Sequence, residues 1–231
     1  MSALEVKGLR AGYGSAEVLF GVDLAVGTSE VLALLGRNGM GKSTLIRSIL
    51  GFTAVHDGRV EVAGRDVTGW PSHRVARAGV GWVPEGRQIF MGLTIEENLL
   101  VSARKGTWDL ERIYGLFPRL RERRQHFGNQ ISGGEQQMLA IGRALLTQPA
   151  VLMLDEATEG LAPLVRLEIW RTLEALKGSG QSVLIVDRDL DALARLADRF
   201  AVMEKGRVVL AGRNAELTMR RHEIERFMGV S

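Results

Sequence analysis

Gly36-Arg37-Asn38-Gly39-Met40-Gly41-Lys42-Ser43-Thr44 is the stretch on which the fold turns. It fits G-x-x-x-x-G-K-[ST], a loop whose backbone N–H groups cradle phosphates while the lysine reaches the β/γ-phosphates and the Ser/Thr ligates Mg²⁺. Before it, Val31-Leu32-Ala33-Leu34-Leu35 is a continuous apolar run suited to a buried parallel strand. After it, Leu45 to Leu50 reads as a helix, which sets the anion at a helix N-terminus where the dipole and unpaired N–H groups favour it. A glycine-rich turn that merely precedes a lysine has no need of these flanks. Gly36, Asn38, Gly39, Gly41, Lys42, Ser43 and Thr44 are therefore candidate contacts of a nucleoside triphosphate, and Ser43 a candidate Mg²⁺ ligand.

Outward from the loop, α/β alternation continues. Leu4 to Val26 reads as two strands around Gly12-Tyr13-Gly14-Ser15, and Gly58 to Gly64 and Val80 to Pro84 as further strands, with a short helix from Pro71 to Ala78 between them. Tyr13 is either an ordinary turn tyrosine or an aromatic face for a nucleobase. From Gln88 to Gly142 strand signals vanish: Thr94-Ile95-Glu96-Glu97 is a capping box predicting a helix from Ile95 to Lys105, and Asp109 to Phe117 a second helix. The basic run Arg119 to Arg124 reads as a solvated helix face. Alternation resumes with strand Val151 to Leu154, helix Pro163 to Leu176, strand Val183 to Val186, helix Leu190 to Ala197 and strands at Arg199 to Met203 and Val208 to Ala211. An amphipathic helix from Arg221 to Met228 follows. The expected organisation is one domain over 1–231, with an α/β core in 1–87 and 143–231 and a helical subdomain in 88–142.

Composition narrows the function classes. The 231 residues are 45% hydrophobic and 25% charged, as in ordinary globular proteins, and can bury a sizeable core. A net charge of +3 makes no case for nucleic acid as a partner. With no cysteine there are no disulfides or thiolate metal sites, which suits a reducing compartment. Met1 to Arg10 does not read as a signal peptide, and no apolar run approaches the ~20 residues of a membrane-spanning helix, so a membrane role would be peripheral.

Two further stretches carry chemistry. Val151 to Leu154 leads into Asp155-Glu156, two carboxylates at the carboxyl end of a strand, where ligands of open parallel sheets gather. Asp155 is a candidate Mg²⁺ ligand and Glu156 the candidate base for an attacking water; a simple helix cap is the alternative. Ile131-Ser132-Gly133-Gly134-Glu135-Gln136-Gln137 precedes a helix from Met138 to Leu146, with Ser132 as N-cap and glycines that leave backbone N–H groups open to an anion. Two anion-binding helix starts so far apart in sequence suggest that a second protein copy completes each nucleotide site.

Phosphate loop, S-G-G-E-Q stretch and L-D-E strand end, in this order with a helical insert between, resemble the nucleotide-binding subunits of ABC transporters over essentially the whole chain. The resemblance implies a P-loop NTPase core of the ABC ATPase type, with an N-terminal antiparallel β subdomain and an inserted helical subdomain. It also implies a head-to-tail dimer with ATP and Mg²⁺ between one subunit's phosphate loop and the other's signature helix. Carried over by position, Tyr13 stacks on adenine, and Ser132, Gly133, Gly134 and Glu135 grip the γ-phosphate across the dimer. Glu156 is then the base and Lys42 the catalytic cation. The wording Val83-Pro84-Glu85-Gly86-Arg87, Leu93 to Leu99, Ser132 to Arg143 and Gly160-Leu161-Ala162-Pro163 is similar to LivF-type ATPases of branched-chain amino-acid importers. Such importers imply two membrane permease subunits, a second ATPase of the LivG type or a second copy of this chain, a periplasmic binding protein acting indirectly, and a peripheral place on the cytoplasmic face of a bacterial inner membrane. The ATPase of lipopolysaccharide export shares much of this layout.

Three positions depart from the general ABC pattern. Glu85 stands where most members carry the Gln that senses Mg²⁺, and it too is a candidate metal ligand; Ala162 replaces an Asp expected across the dimer. Arg188 stands where a switch His usually contacts the γ-phosphate. Arginine donates strongly to phosphate but cannot shuttle a proton near neutral pH. From sequence, Arg188 either meets the phosphate or points to solvent or to Asp187 and Asp189. Arg188 and Ala162 keep open an ATP-bound switch that scarcely hydrolyses, against which Glu156 argues. A soluble ABC ATPase acting on DNA or ribosomes would carry tandem domains or long coiled coils.

Overall fold

The structure is a computed structural model that describes residues 1–229. Strands β1 (Ser2–Tyr13) and β2 (Ala16–Gly27) form a hairpin, followed by β3 (Val31–Leu35), helix α1 (Lys42–Ile49), β4 (Ala54–Val62), β5 (Arg65–Asp66), α2 (Ser72–Ala78) and β6 (Val80–Val83). A helical stretch comes next: α3 (Ile95–Leu100), α4 (Leu110–Leu116), α5 (Pro118–Glu122), a 3₁₀ turn at Gly128–Gln130 and α6 (Gly133–Leu145). Alternation then resumes with β7 (Val151–Asp155), α7 (Pro163–Gly178), β8 (Ser182–Val186), α8 (Leu190–Leu196), β9 (Arg199–Glu204), β10 (Arg207–Arg213), α9 (Asn214–Met219) and α10 (Arg221–Met228).

Two sheets result. One is antiparallel, ordered β2-β1-β4-β5; the other, ordered β10-β9-β3-β8-β7-β6, is parallel except for its β10 edge. The period of two in β3 shows why its run must be wholly apolar. Val31, Ala33 and Leu35 enter the core on the side of α3 to α10, whereas Leu32 and Leu34 enter the core shared with α1 and the antiparallel sheet. β7 divides in the same way, Leu152 and Leu154 against Val151 and Met153, and so does β8. The parallel sheet is thus a common wall between two cores, and β3, β7 and β8 end at the same edge.

The helical stretch shows where local signals yield to tertiary ones. The capping box at Thr94 and Glu97 is present, but α3 stops at Leu100 and not at Lys105. Beyond it, Arg104 N–H donates to the Leu146 carbonyl at 2.9 Å and Gln148 Nε2 donates to the Arg104 carbonyl at 3.0 Å, so bonds to the end of α6 replace a continued helix. α6 starts five residues before Met138, because Ser132 and Glu135 close a capping box that holds Gly133 and Gly134 in its first turn. Helix α9 carried no apolar periodicity and was not anticipated. The basic run lies exposed on and after α5, with Arg121 paired to Glu111, Arg123 to Glu135 and Arg124 to Glu96.

Candidate functional site

The carboxyl edge of the parallel sheet holds a cleft of about 330 Å³ lined by Asn38, Gly39, Gly41, Lys42, Ser43 and Thr44 together with Val18, Glu85, Glu156, Glu159 and Arg188. Its floor is the loop between β3 and α1. Gly41 caps α1 at φ +102°, a conformation that side chains rarely adopt. Gly36 is tighter still: at φ +138°, a Cβ there would lie 2.4 Å from the Met203 carbonyl oxygen. Lys42 is buried and donates to the carbonyls of Gly36 at 2.5 Å and Arg37 at 2.9 Å. Burial lowers its pKa, partly offset by the nearby Glu156 and Asp155 charges, and two of its three protons are engaged.

Asp155 ends β7 and is buried. Its Oδ1 lacks a hydrogen-bond partner, and burial raises the carboxyl's pKa despite the neighbouring Ser43 hydroxyl. A buried carboxylate oxygen without a partner, beside a serine hydroxyl and near Glu85, is an all-oxygen donor set that fits Mg²⁺. Glu156 follows in the left-handed region at φ +51°, its N–H bonded to the Val186 carbonyl at 2.9 Å. Strain of this kind is worth about 1–3 kcal/mol and is held only by a well-determined surround. It turns the Glu156 side chain into the cleft.

Glu85, Glu156 and Glu159 bring carboxylate oxygens within 4.8 Å of one another. Such crowding favours the protonated form of Glu159, whose carboxyl is pushed up to about 7, first by the neighbouring Glu156 and then by burial. Burial raises Glu156 as well, but its bond to Glu159 and the Arg188 charge outweigh this and leave it below the ordinary range.

Arg188 is exposed, yet its side chain turns to the cleft and pairs with neither Asp187 nor Asp189. Its Nη2 donates to Asn38 Oδ1 at 2.8 Å and reaches Glu156 Oε2 at 3.3 Å, Oε1 at 3.4 Å and Glu159 at 3.8 Å. Only its backbone N–H serves Asp187, at 2.7 Å. Tyr13 closes β1, half-exposed; a hydrogen bond from Thr44 leads the contacts that draw its phenol below the ordinary pKa.

The second anion-binding stretch lies apart. Among the described residues, the lining of the cleft includes none of Ser132, Gly133, Gly134 and Glu135. Glu135 is buried inside the capping box, its Oε2 accepting from the Ser132 N–H and hydroxyl at 2.8 Å while Oε1 faces Arg123 at 3.4 Å. Its carboxylate therefore shapes the start of α6 and is not open to a phosphate. Two neighbours escaped sequence reasoning. Glu159 stands three residues after Glu156 in a turn, a spacing that could have flagged it. Arg87 lies against Gly133, where a Cβ would meet its guanidinium at 2.6 Å, and its Nη1 reaches Gln136 at 3.4 Å; nothing local in the sequence signals that approach.

The profile of the family described as ABC transporter matches residues 19–159. The high-affinity branched-chain amino acid transport ATP-binding protein BraG of Pseudomonas aeruginosa is 39% identical over 210 residues, covering 89% of this chain and 90% of that one. A probable branched-chain amino acid transport ATP-binding protein LivF of Archaeoglobus fulgidus is 35% identical over 217 residues, covering 90% and 91%. Among solved structures, an ATP-binding cassette of an ABC transporter in its ADP conformation superposes with a TM-score of 0.86 at 26% identity, covering 100% of this chain and 98% of that one. Match, relatives and fold agree with the cleft geometry: the chain belongs to the ABC transporter family, among its ATP-binding ATPase subunits.

Proposed function

We propose that this chain hydrolyses ATP to drive import of branched-chain or related amino acids through partner permeases. The observation that carries the chemical part is the buried, unpartnered Asp155 oxygen beside Ser43, one residue from a carboxylate turned into the cleft. The relatives named for branched-chain amino-acid transport support the substrate class.

In this reading the N–H groups of Gly39 to Thr44 and the Lys42 ammonium hold the β- and γ-phosphates, Gly36 and Asn38 shape the loop, and the half-exposed Tyr13 ring stacks on adenine. Mg²⁺, held by Ser43 and Asp155 with Glu85 in reach, would screen the charge of the phosphate oxygens. Glu156 accepts a proton from water as its oxygen bonds to the γ-phosphorus and the bond to the β-phosphate oxygen breaks. The start of α6, with Ser132, Gly133 and Gly134, covers the γ-phosphate bound to a second subunit, either a copy of this chain or a LivG-type ATPase. No helix among the described residues is long and apolar enough to cross a membrane; in this reading the chain works peripherally, against its permeases on the cytoplasmic face of a bacterial inner membrane. Phe52, Phe90, Met91, Leu100 and Val101 are exposed around the loop after β6 and the helical stretch of 88–142, a face suited to a permease.

Mg·ATP hydrolysis by the purified chain tests the reading. Glu156→Gln should lower kcat by about 10²–10⁴-fold, the usual worth of a general base, while ATP binding persists. Equal rates in wild type and variant would reject Glu156 as the base. The contact of Arg188 with Glu156 favours one second reading, an ATP-bound switch with little turnover. That reading requires negligible hydrolysis even with permeases and a LivG-type partner present.

A further inference from the structure

Arg188 is placed where it can neither ignore the base nor leave the nucleotide's path. Its backbone is rooted: Arg188 N–H donates to Asp187 Oδ1, and the buried Asp187 accepts from Thr158 Oγ1 at 2.6 Å. Its side chain is 53% exposed, which leaves it room to change partners. Those partners are Asn38 of the phosphate loop, both oxygens of Glu156, and Glu159 at the rim. Nη2, shared between the two Glu156 oxygens at 3.3 and 3.4 Å, competes with water for the carboxylate that would accept its proton. Meanwhile Asn38 already sets the same guanidinium against the loop that receives the phosphates.

We propose that Arg188 is a positioning residue with two resting places, Glu156 with Asn38 when the cleft is free of nucleotide and the terminal phosphate once ATP binds, so that ATP itself frees the base. Two carboxylates, Glu156 and Glu159, hold the guanidinium on the first side, and a more highly charged phosphate draws it on the second. ADP lacks the terminal phosphate and leaves Arg188 on Glu156. Glu159, 3.8 Å from Arg188 Nη2, adds to the hold on the guanidinium while it rests on Glu156. This inference rests on the ATP-binding reading above and adds to it the control of the base.

A double-mutant cycle on the full chain tests it, with wild type, Glu156→Gln, Arg188→Met and the double variant titrated with the β,γ-imido analogue of ATP and, separately, with ADP. Glu156→Gln releases Arg188 and should tighten the imido analogue about fivefold to tenfold, but less than about twofold in the Arg188→Met background, a coupling typical of residues in contact. ADP affinity should show no such coupling. Glu159→Gln, which loosens the outer contact alone, should tighten the imido analogue about twofold and leave ADP unchanged. Equal gains in both backgrounds, equal coupling for ADP, or weaker imido binding by Glu159→Gln would overturn the proposal while nucleotide binding stands. A wild-type chain that binds neither nucleotide would overturn the ATP-binding reading with it. Melting temperatures of the variants within a few degrees of wild type would confirm that folding does not account for the shifts.

Discussion

Gly36 and Gly39 belong to one loop yet differ in what they demand. A Cβ at Gly36 would press on the Met203 carbonyl at 2.4 Å, and backbone does not yield as a side-chain tip does; at Gly39 nothing lies within 4 Å. Gly36→Ala should therefore cost about 1–3 kcal/mol through strain and the clash, seen as a lower urea midpoint, and should weaken ATP binding. Gly39→Asn, at φ +78° with open space, should unfold near the wild-type midpoint, because Asn tolerates that region. The loop, Asp155 and Glu156 were legible because each depends on a few consecutive residues. The place of Arg188 was not: it follows from β3, β7 and β8 ending side by side, which no local window contains. Glu135 shows the converse: the same sequence could serve a phosphate contact or a capping box, and within this chain its carboxylate closes the capping box beside Arg123.

Helix α6 depends on its first turn. Ser132→Ala removes the hydroxyl that accepts from the Glu135 N–H at 3.3 Å, and should cost about 1 kcal/mol in chemical denaturation, the usual worth of such a cap. The helical stretch also buries Tyr114 of α4, whose hydroxyl donates to Glu96 Oε2 at 3.2 Å, and burial together with the Glu96 charge pushes its pKa up to about 12. Tyr13, the other of the two tyrosines, is drawn below 10.0 by Thr44. Absorbance titration should thus show two separate phenolate steps, and Tyr114→Phe should remove the later one. A raised folded-state pKa favours the protonated form, so the contribution of Tyr114 is complete below its unfolded pKa of 10.0 and is lost as pH rises towards about 12. A single merged step would mean that α4 does not seal Tyr114 from water. Elements with their own start signal, such as α3 with its capping box, were legible at that end; their far ends answer to distant backbone, as Arg104 does to Leu146.

At the scale of the whole molecule, the two cores on either side of the parallel sheet fix the cleft and the start of α6 on one rigid frame, but not at one site. Ser132 is exposed and Gly133 partly so at the start of α6, and neither lines the cleft. In the proposed reading a head-to-tail pair brings each α6 start over the partner's γ-phosphate. The order of the motifs made the family legible; that the start of α6 lies apart from the phosphate loop within one chain depends on the tertiary arrangement. Two copies should therefore associate only while an intact triphosphate bridges them. Glu156→Gln, which binds ATP without consuming it, should sediment as a dimer with Mg·ATP and as a monomer with ADP, whereas Lys42→Ala should stay monomeric with either nucleotide. If Glu156→Gln stays monomeric alone but pairs with a LivG-type ATPase, the working assembly is a heterodimer. If it pairs with neither while still binding ATP, the head-to-tail arrangement is wrong and the start of α6 serves the fold alone.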